Sequence, residues 1–173
     1  MNLAIYIPSL HGGGAERAMV TLANGISARG IHVDLVLASA EGAYLPEVST
    51  GVRVIDLRSK RVSSSLPALV RYLRKERPQA LLSALNHANV IAVIAHRLAN
   101  VPTRLVLSER TNVSRSANQP QTLRQRCVLP LMRWSYRKAD ALVAVSEGVA
   151  DDLARTISLP REHIDVVYNP VIT

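Results

Sequence analysis

The chain has 173 residues, of which 48% are hydrophobic and 3% aromatic, with a formal net charge of +8 and one cysteine, Cys127. This length supports one domain with a real core. A lone cysteine excludes an internal disulfide or a cysteine metal cluster, no apolar run reaches membrane-spanning length, and the N-terminus lacks a basic-then-apolar signal pattern. The positive balance favours an anionic partner: a phosphate, a nucleic acid or an anionic membrane surface.

In chain order, Leu3 to Ile7 is a short apolar run closed by Pro8, the pattern of a buried parallel strand. Ser9-Leu10-His11-Gly12-Gly13-Gly14 follows, and three successive glycines suit a sharp turn or a close approach by another group. Ala15 to Ala28 repeats apolar residues at Ala18, Leu22 and Ile26, as an amphipathic helix does. Strand, glycine loop and helix open a nucleotide-binding βαβ unit, and the helix N-terminus can receive a phosphate or carboxylate. The loop reads equally as a tight turn in which Glu16 satisfies the helix end. It is not the full dinucleotide fingerprint: Arg17 occupies the third glycine position, and Leu37-Ala38-Ser39 ends the second strand without an acid for a ribose.

His32 to Ala38 is the second strand, Glu41 to Gly51 a loop and Val52 to Leu57 the third strand. Arg58 to Ser65 reads as a mobile basic connection, and Leu66 to Arg77 as a helix ended by Pro78. Ala80 to Leu85 is the fourth strand, with Asn86-His87-Ala88-Asn89 capping an apolar helix from Val90 to Ala99. Arg104 to Ser108 is the fifth strand, with Glu109-Arg110-Thr111-Asn112 at its end. A polar loop, Val113 to Gln121, leads into a helix from Thr122 to Lys138. Ala141 to Ser146 is the sixth strand, Glu147 to Ile157 a helix and Ile164 to Tyr168 the last strand. The alternation predicts an α/β fold: a Rossmann-like, doubly wound, mainly parallel sheet with helices on both faces. Ligands of such sheets bind beyond the carboxyl ends of the strands, where the glycine loop, residues 86–89, residues 108–112 and Ser146-Glu147 gather.

Gly13-Gly14-Ala15-Glu16-Arg17 after a first strand resembles the opening of family 4 glycosyltransferases. Val145-Ser146-Glu147-Gly148-Val149-Ala150-Asp151-Asp152-Leu153, followed by Tyr168-Asn169-Pro170-Val171, resembles that family's segment before the interdomain hinge. The resemblance covers nearly the whole chain, and residues 86–89 and 108–112 look closest to members that extend polyprenyl-diphosphate-linked glycans. It implies one lobe of a GT-B fold: residues 1–168 as the N-terminal acceptor lobe, 169–173 (with Asn169 and Pro170) as the start of the hinge, and a C-terminal donor lobe absent. The implied function is acceptor binding in a retaining transferase that moves a sugar from a nucleotide sugar to a lipid-linked or soluble glycan. The implied setting is the inner face of the cytoplasmic membrane, with no metal or other cofactor.

On this reading Gly12, Gly13 and Gly14 lie against the nucleotide-sugar diphosphate. Glu109 and Arg110 are the catalytic candidates, Glu109 accepting a hydrogen bond from the acceptor hydroxyl and Arg110 holding phosphate or shaping Glu109. A surface ion pair is the plain alternative. Glu16, Arg17, His87, Asn89 and Asn112 are candidate acceptor contacts. Where the family often has His at the end of the fifth strand and Asp after N-P-V, this chain has Glu109-Arg110 and Ile172. Asp151-Asp152 reads as a pair of acids favouring a helix dipole. Between Arg97 and Lys138 nine basic residues accompany one acid, Glu109. Arg126, Arg133 and Arg137 share a helical stripe suited to an anionic membrane or a lipid diphosphate, beside an apolar stripe of Leu123, Cys127, Leu131 and Trp134. The alternative there is an apolar core face and solvated arginines. Two rival functions remain at this point: a basic nucleic-acid-binding module, disfavoured by the low aromatic content, and a nucleotide-cofactor enzyme.

Overall fold

The computed structural model describes residues 2–114 and 128–169. In chain order the elements are β1 (Asn2–Ile7), α1 (Gly14–Ser27), β2 (His32–Leu37), β3 (Val52–Asp56), α2 (Leu66–Glu76), β4 (Ala80–Ala84) and α3 (Asn86–Ala99). They continue with β5 (Arg104–Glu109), α4 (Val128–Tyr136), β6 (Ala141–Ala144), α5 (Glu147–Ile157) and β7 (Ile164–Val166). The strands form one sheet in the order β3-β2-β1-β4-β5-β6-β7, and every pairing is parallel.

From β1 the chain steps outward through β2 to β3, then crosses back to β4 and proceeds the other way. Right-handed crossovers therefore put α1 on one face and the later helices on the other. The core divides accordingly. Met19, Val20 and Ala23 of α1 pack on Ile5, Ile7, Leu35 and Leu37. On the opposite face Leu69, Val93, Met132 and Leu153, one from each of α2 to α5, meet Tyr6, Leu81, Leu105 and Leu107. Coverage is unequal. Leu81, Leu105, Leu107 and Leu142 are buried, whereas Leu82, Val106 and Val143, which point to the α1 side of the same strands, are only half-buried.

A buried carboxylate joins three elements of this core. Asp34 of β2 is fully buried, and it accepts from Arg53 (2.8 and 2.7 Å) and from the Tyr72 hydroxyl (2.6 Å), with His32 Nε2 at 3.1 Å. Burial alone would raise its pKa, but the bonds from Arg53 and Tyr72 hold the carboxyl below its usual range. The ion pair ties β2, β3 and α2 together.

Several sequence expectations change. Arg58 to Ser65 is not a loose connection. Leu57 and Ser59 donate to Leu37 and Ala38 carbonyls (2.9 and 2.8 Å), and residues 62–65 form a short 3-10 turn. The helix after β4 starts at Asn86, so residues 86–89 are its first turn. On α4 the alternative of an apolar core face is overturned: Leu131 and Trp134 are exposed, while Met132, Ser135 and Tyr136 are buried. Leu123, Cys127 and most of the expected 113–121 loop lie outside the described residues.

Candidate functional site

The winding direction reverses between β1 and β4, and the carboxyl ends there open a crevice. The glycine loop enters it from β1. Gly12 has φ +129°, a conformation L-residues rarely adopt, so glycine is required there. Gly13 is the extended N-cap of α1 (φ −82°, ψ 161°). A Cβ on Gly13 would clash with Glu16 Oε2, which puts the carboxylate of that first-turn acid over the helix end. A Cβ on Gly14 would meet no atom within 4 Å among the described residues.

From β4 comes Leu85, with φ 78° and ψ 132°. A leucine in that region carries strain on the order of 1–3 kcal/mol, and such residues gather where a site demands them. The turn starts α3 at Asn86 and brings His87 within electrostatic reach of Glu16. Asn86 Oδ1 accepts from the His87 backbone N–H at 2.7 Å and lies 3.2 Å from Nδ1. Partial burial lowers the pKa of His87, while the Glu16 carboxylate opposes that shift. Arg110, at the end of β5, shows the same balance: burial lowers its pKa and Glu16 opposes. Glu16, His87 and Arg110 therefore share one electrostatic environment beside the glycine loop. Arg110 also donates to Asn169 Oδ1, which links the end of β5 to the segment after β7. A pocket of about 200 Å³ lies there, bounded by Met19, Leu22, Arg110, Val143, Tyr168 and Asn169.

Glu109 belongs to a different layer. It is the last residue of β5 and 1% exposed. Tyr136 OH donates to its Oε2 at 2.6 Å, and Asn89 Nδ2 donates to both Tyr136 OH (3.0 Å) and the Ser108 carbonyl (3.1 Å). Burial pushes the Glu109 carboxyl up to about 7, against the hydrogen bonds from Tyr136 and from the Arg110 and Thr111 backbones. The expectations of an acceptor hydroxyl on Glu109 and of a direct contact by Asn89 are both corrected here. Asn89 is 0% exposed, and both side chains face the core, where they fix the end of β5 against α3 and α4. Tyr136 escaped sequence reasoning because one tyrosine among apolar helix positions carries no signal. Leu85 escaped because nothing in a leucine announces a left-handed turn.

Arg17 is exposed on α1, and Asn112 is half-buried just after β5. Arg133 Nε donates to Thr156 O (3.2 Å) and Arg137 Nη2 to Ser158 O (3.0 Å). Both thus serve carbonyls at the C-terminal end of α5, where cations are favoured. Arg126 and Pro170 lie outside the described residues. Ser146 N-caps α5 by accepting from Val149 N at 3.3 Å. Asp151 pairs with Arg161 (2.9 Å), and Asp152 accepts from Ser114 N (3.0 Å). The two acids hold neighbouring segments rather than acting only on the helix dipole. Among the described residues no group of three His, Cys, Asp or Glu side chains is arranged to hold a metal ion, and no helix is long and apolar enough to cross a membrane.

Residues 12–173 match the family model of Glycosyltransferase Family 4. The chain is 30% identical over 184 residues to the N-acetylgalactosamine-N,N'-diacetylbacillosaminyl-diphospho-undecaprenol 4-alpha-N-acetylgalactosaminyltransferase of Campylobacter jejuni. That match takes in 98% of this chain and 48% of the relative, so the chain spans about half of the curated relative's length. Among solved structures, HepE of Anabaena in complex with UDP-glucose superposes with a TM-score of 0.76 at 18% identity, over 99% of this chain and 44% of HepE. The sucrose-phosphate synthase of Thermosynechococcus elongatus gives 0.73 at 15% identity, over 99% and 48%. The lipopolysaccharide outer core galactosyltransferase WaaB gives 0.70 at 12% identity, over 99% and 46%. At these identities the structures establish a shared fold, the Rossmann-like lobe of GT-B proteins.

Proposed function

The chain belongs to Glycosyltransferase Family 4, and from that premise we propose that it is the acceptor-binding lobe of a retaining glycosyltransferase. The transferase would move a sugar from a nucleotide sugar to a lipid-linked or soluble glycan. The observation that carries this reading is the convergence of the Gly12–Gly14 loop, His87 and Arg110 at the switch point of the sheet. The relative that acts on a diphospho-undecaprenol substrate favours the lipid-linked class.

Each part then has a task. The backbone around Gly14 lies beside the departing diphosphate, since no side chain blocks approach. Arg110 faces the crevice and stabilises charge there. Partial burial disfavours the protonated form of His87, and its ring accepts a hydrogen bond from the acceptor sugar. Glu16 orients both groups, and Arg17 and Asn112 bound the acceptor space. Glu109 is a positioning residue: with Tyr136 and Asn89 it sets the end of β5 and hence the aim of Arg110.

Residues 1–168 form the lobe and 169–173 begin the hinge. The Arg110–Asn169 contact and the half-buried strand residues Leu82, Val106 and Val143 suit a donor lobe arriving on that side. The exposed Leu131 and Trp134, with Arg97 stacked 5.9 Å from the indole centroid and Arg133 and Arg137 nearby, suit peripheral contact with the inner face of an anionic membrane. No metal is required by this scheme. The test is transfer from nucleotide sugars to a lipid-linked glycan, with anomeric configuration read by NMR. The chain alone is expected to bind acceptor without turnover, and the chain joined to a donor lobe to transfer with retention. Turnover by this chain alone overturns the two-lobe reading.

A further inference from the structure

A second cleft, which Arg110 does not line, lies over the ends of β1, β2 and β3. It measures about 580 Å³, and its walls include Ser9, His11, Arg58, Lys60, Arg61 and Val62. The three cations are exposed, and among the described residues none of them makes an ion pair. Two acids also line the cleft. Glu41 lies 3.9 Å from His11. Asp56 Oδ1 is engaged by the backbone N–H groups of Ala40 (3.1 Å) and Arg58 (2.8 Å). Asp56 therefore shapes the wall, and with three cations against two carboxylates the cleft keeps a net positive charge.

The basic turn is built rather than loose. Arg58 has φ 50°, a left-handed conformation that disfavours an arginine, yet its backbone is fixed by Asp56. Ser59 donates to Ala38 O at 2.8 Å. Ser65 closes the following 3-10 turn on Val62 O at 2.7 Å, and the buried Tyr6 hydroxyl lies 2.6 Å from Ser65 Oγ. A surface that exists only for solubility needs no such anchoring.

Val62 borders a second space as well. On its far side is an apolar groove of about 390 Å³ formed with Ser63, His87, Val90, Ile91 and Leu131. A cationic cleft thus continues into an apolar groove across one valine, and the groove's other wall includes His87 of the crevice. A nucleotide offers no apolar chain for such a groove, and a flat membrane surface does not fill a concave cleft. A diphosphate carried on a long hydrocarbon matches both halves, because its negative charge meets three cations and its first carbons meet aliphatic walls.

We infer that the turn from Arg58 to Val62 is the seat of a lipid diphosphate, with the diphosphate on Arg58, Lys60 and Arg61 and the start of its hydrocarbon chain on Val62, Val90, Ile91 and Leu131. This rests on the acceptor-lobe reading and names the part of the acceptor that is gripped. It places the diphosphate in a cleft that neither Arg110 nor the arginines of α4 line.

The test is equilibrium binding by calorimetry, with farnesyl diphosphate, inorganic pyrophosphate and phosphatidylcholine–phosphatidylglycerol vesicles as probes. The chain's single tryptophan, Trp134, stands three residues from Leu131 and gives a fluorescence readout of groove filling. Asn tolerates the left-handed region better than most residues, so the charge-removing variant is Arg58→Asn with Arg61→Gln. The groove variant is Ile91→Asn, and each is checked by its melting curve. Arg58→Asn/Arg61→Gln is expected to weaken farnesyl diphosphate and pyrophosphate by about tenfold or more per guanidinium. Ile91→Asn is expected to weaken farnesyl diphosphate alone, with loss of the Trp134 signal. If wild type binds farnesyl diphosphate and the folded double variant binds it equally well, the seat is overturned while the acceptor reading stands. If the double variant loses vesicle binding but not farnesyl diphosphate, the turn is a membrane contact and the inference fails. If wild type binds neither farnesyl diphosphate nor a glycan-bearing lipid diphosphate, the lipid-linked class falls with it. Transfer to a soluble glycan by the chain joined to a donor lobe would then leave the transferase reading intact.

Discussion

Replacing Glu109 with Gln should make the protein less sensitive to pH and, above neutrality, more stable. The carboxyl is 1% exposed, and burial raises its pKa from 4.5 to about 7. In the unfolded chain it titrates near its ordinary value of about 4.3. The native state therefore disfavours the charged form. The contribution to stability is full below the unfolded pKa, is lost as pH rises through the folded pKa, and is level above that. About 2.5 pK units at 1.36 kcal/mol each give roughly 3 kcal/mol between pH 4 and pH 8. Gln is nearly isosteric, does not titrate, and can still accept the Tyr136 hydroxyl through its carbonyl. The measurement is urea unfolding of both proteins at several pH values. Subtracting the variant from wild type cancels the other titrating groups. The difference should move by roughly 3 kcal/mol in favour of Gln from pH 4 to pH 8, or about 6–12 °C in melting temperature for a domain of this size. A difference that stays constant across that range would refute a desolvated Glu109 and, with it, the Tyr136–Glu109–Asn89 layer as the support of Arg110.

Gly13→Val should leave the melting temperature nearly unchanged, because the N-cap backbone (φ −82°) suits valine and the nearest obstacle is the flexible end of Glu16. Transfer by the chain joined to a donor lobe should be abolished, and retained activity would reduce the glycine loop to a turn. Asp34→Asn should cost about 1.5–3 kcal/mol in a denaturant titration, since it weakens the charge-assisted bonds from Arg53 and Tyr72 while the half-exposed Arg53 keeps Glu76; a loss under about 0.5 kcal/mol would mean that the carboxylate contributes little. Arg133→Gln with Arg137→Gln should lower affinity for anionic liposomes by roughly thirtyfold at low salt, on the order of 1 kcal/mol per charge. The gap should narrow as salt is added. Unchanged liposome binding would confine the two arginines to the carbonyls of Thr156 and Ser158.

The alternation of strands and helices, and the strand ends where ligands gather, were legible in the chain before folding. Those follow from local periodicity and from turn residues such as Gly12 and Gly30, whose positive φ values of 129° and 79° match their residue type. The start of α5 was equally legible, since Ser146 can cap a helix wherever it occurs. What the sequence could not decide was which side of each element meets which neighbour. Glu109 and Arg110 are adjacent in the chain, yet β5 turns one into the core and the other toward the crevice, because successive strand residues face opposite ways and only one side is covered by α3 and α4. The two readings of α4 could not be told apart from the sequence for the same reason: Tyr136 is buried because Glu109 and Asn89 lie beneath it, and Trp134 is exposed because no element lies over it among the described residues. The basic turn looked loose because its anchors are distant in sequence. Tyr6, Leu37 and Ala38 reach residues 57–65 only once the parallel register of β1, β2 and β3 is formed. Local pattern fixes what an element is, whereas burial, partnership and strain at Leu85, Glu109 and Arg58 arise from non-local packing that exists only in the folded chain.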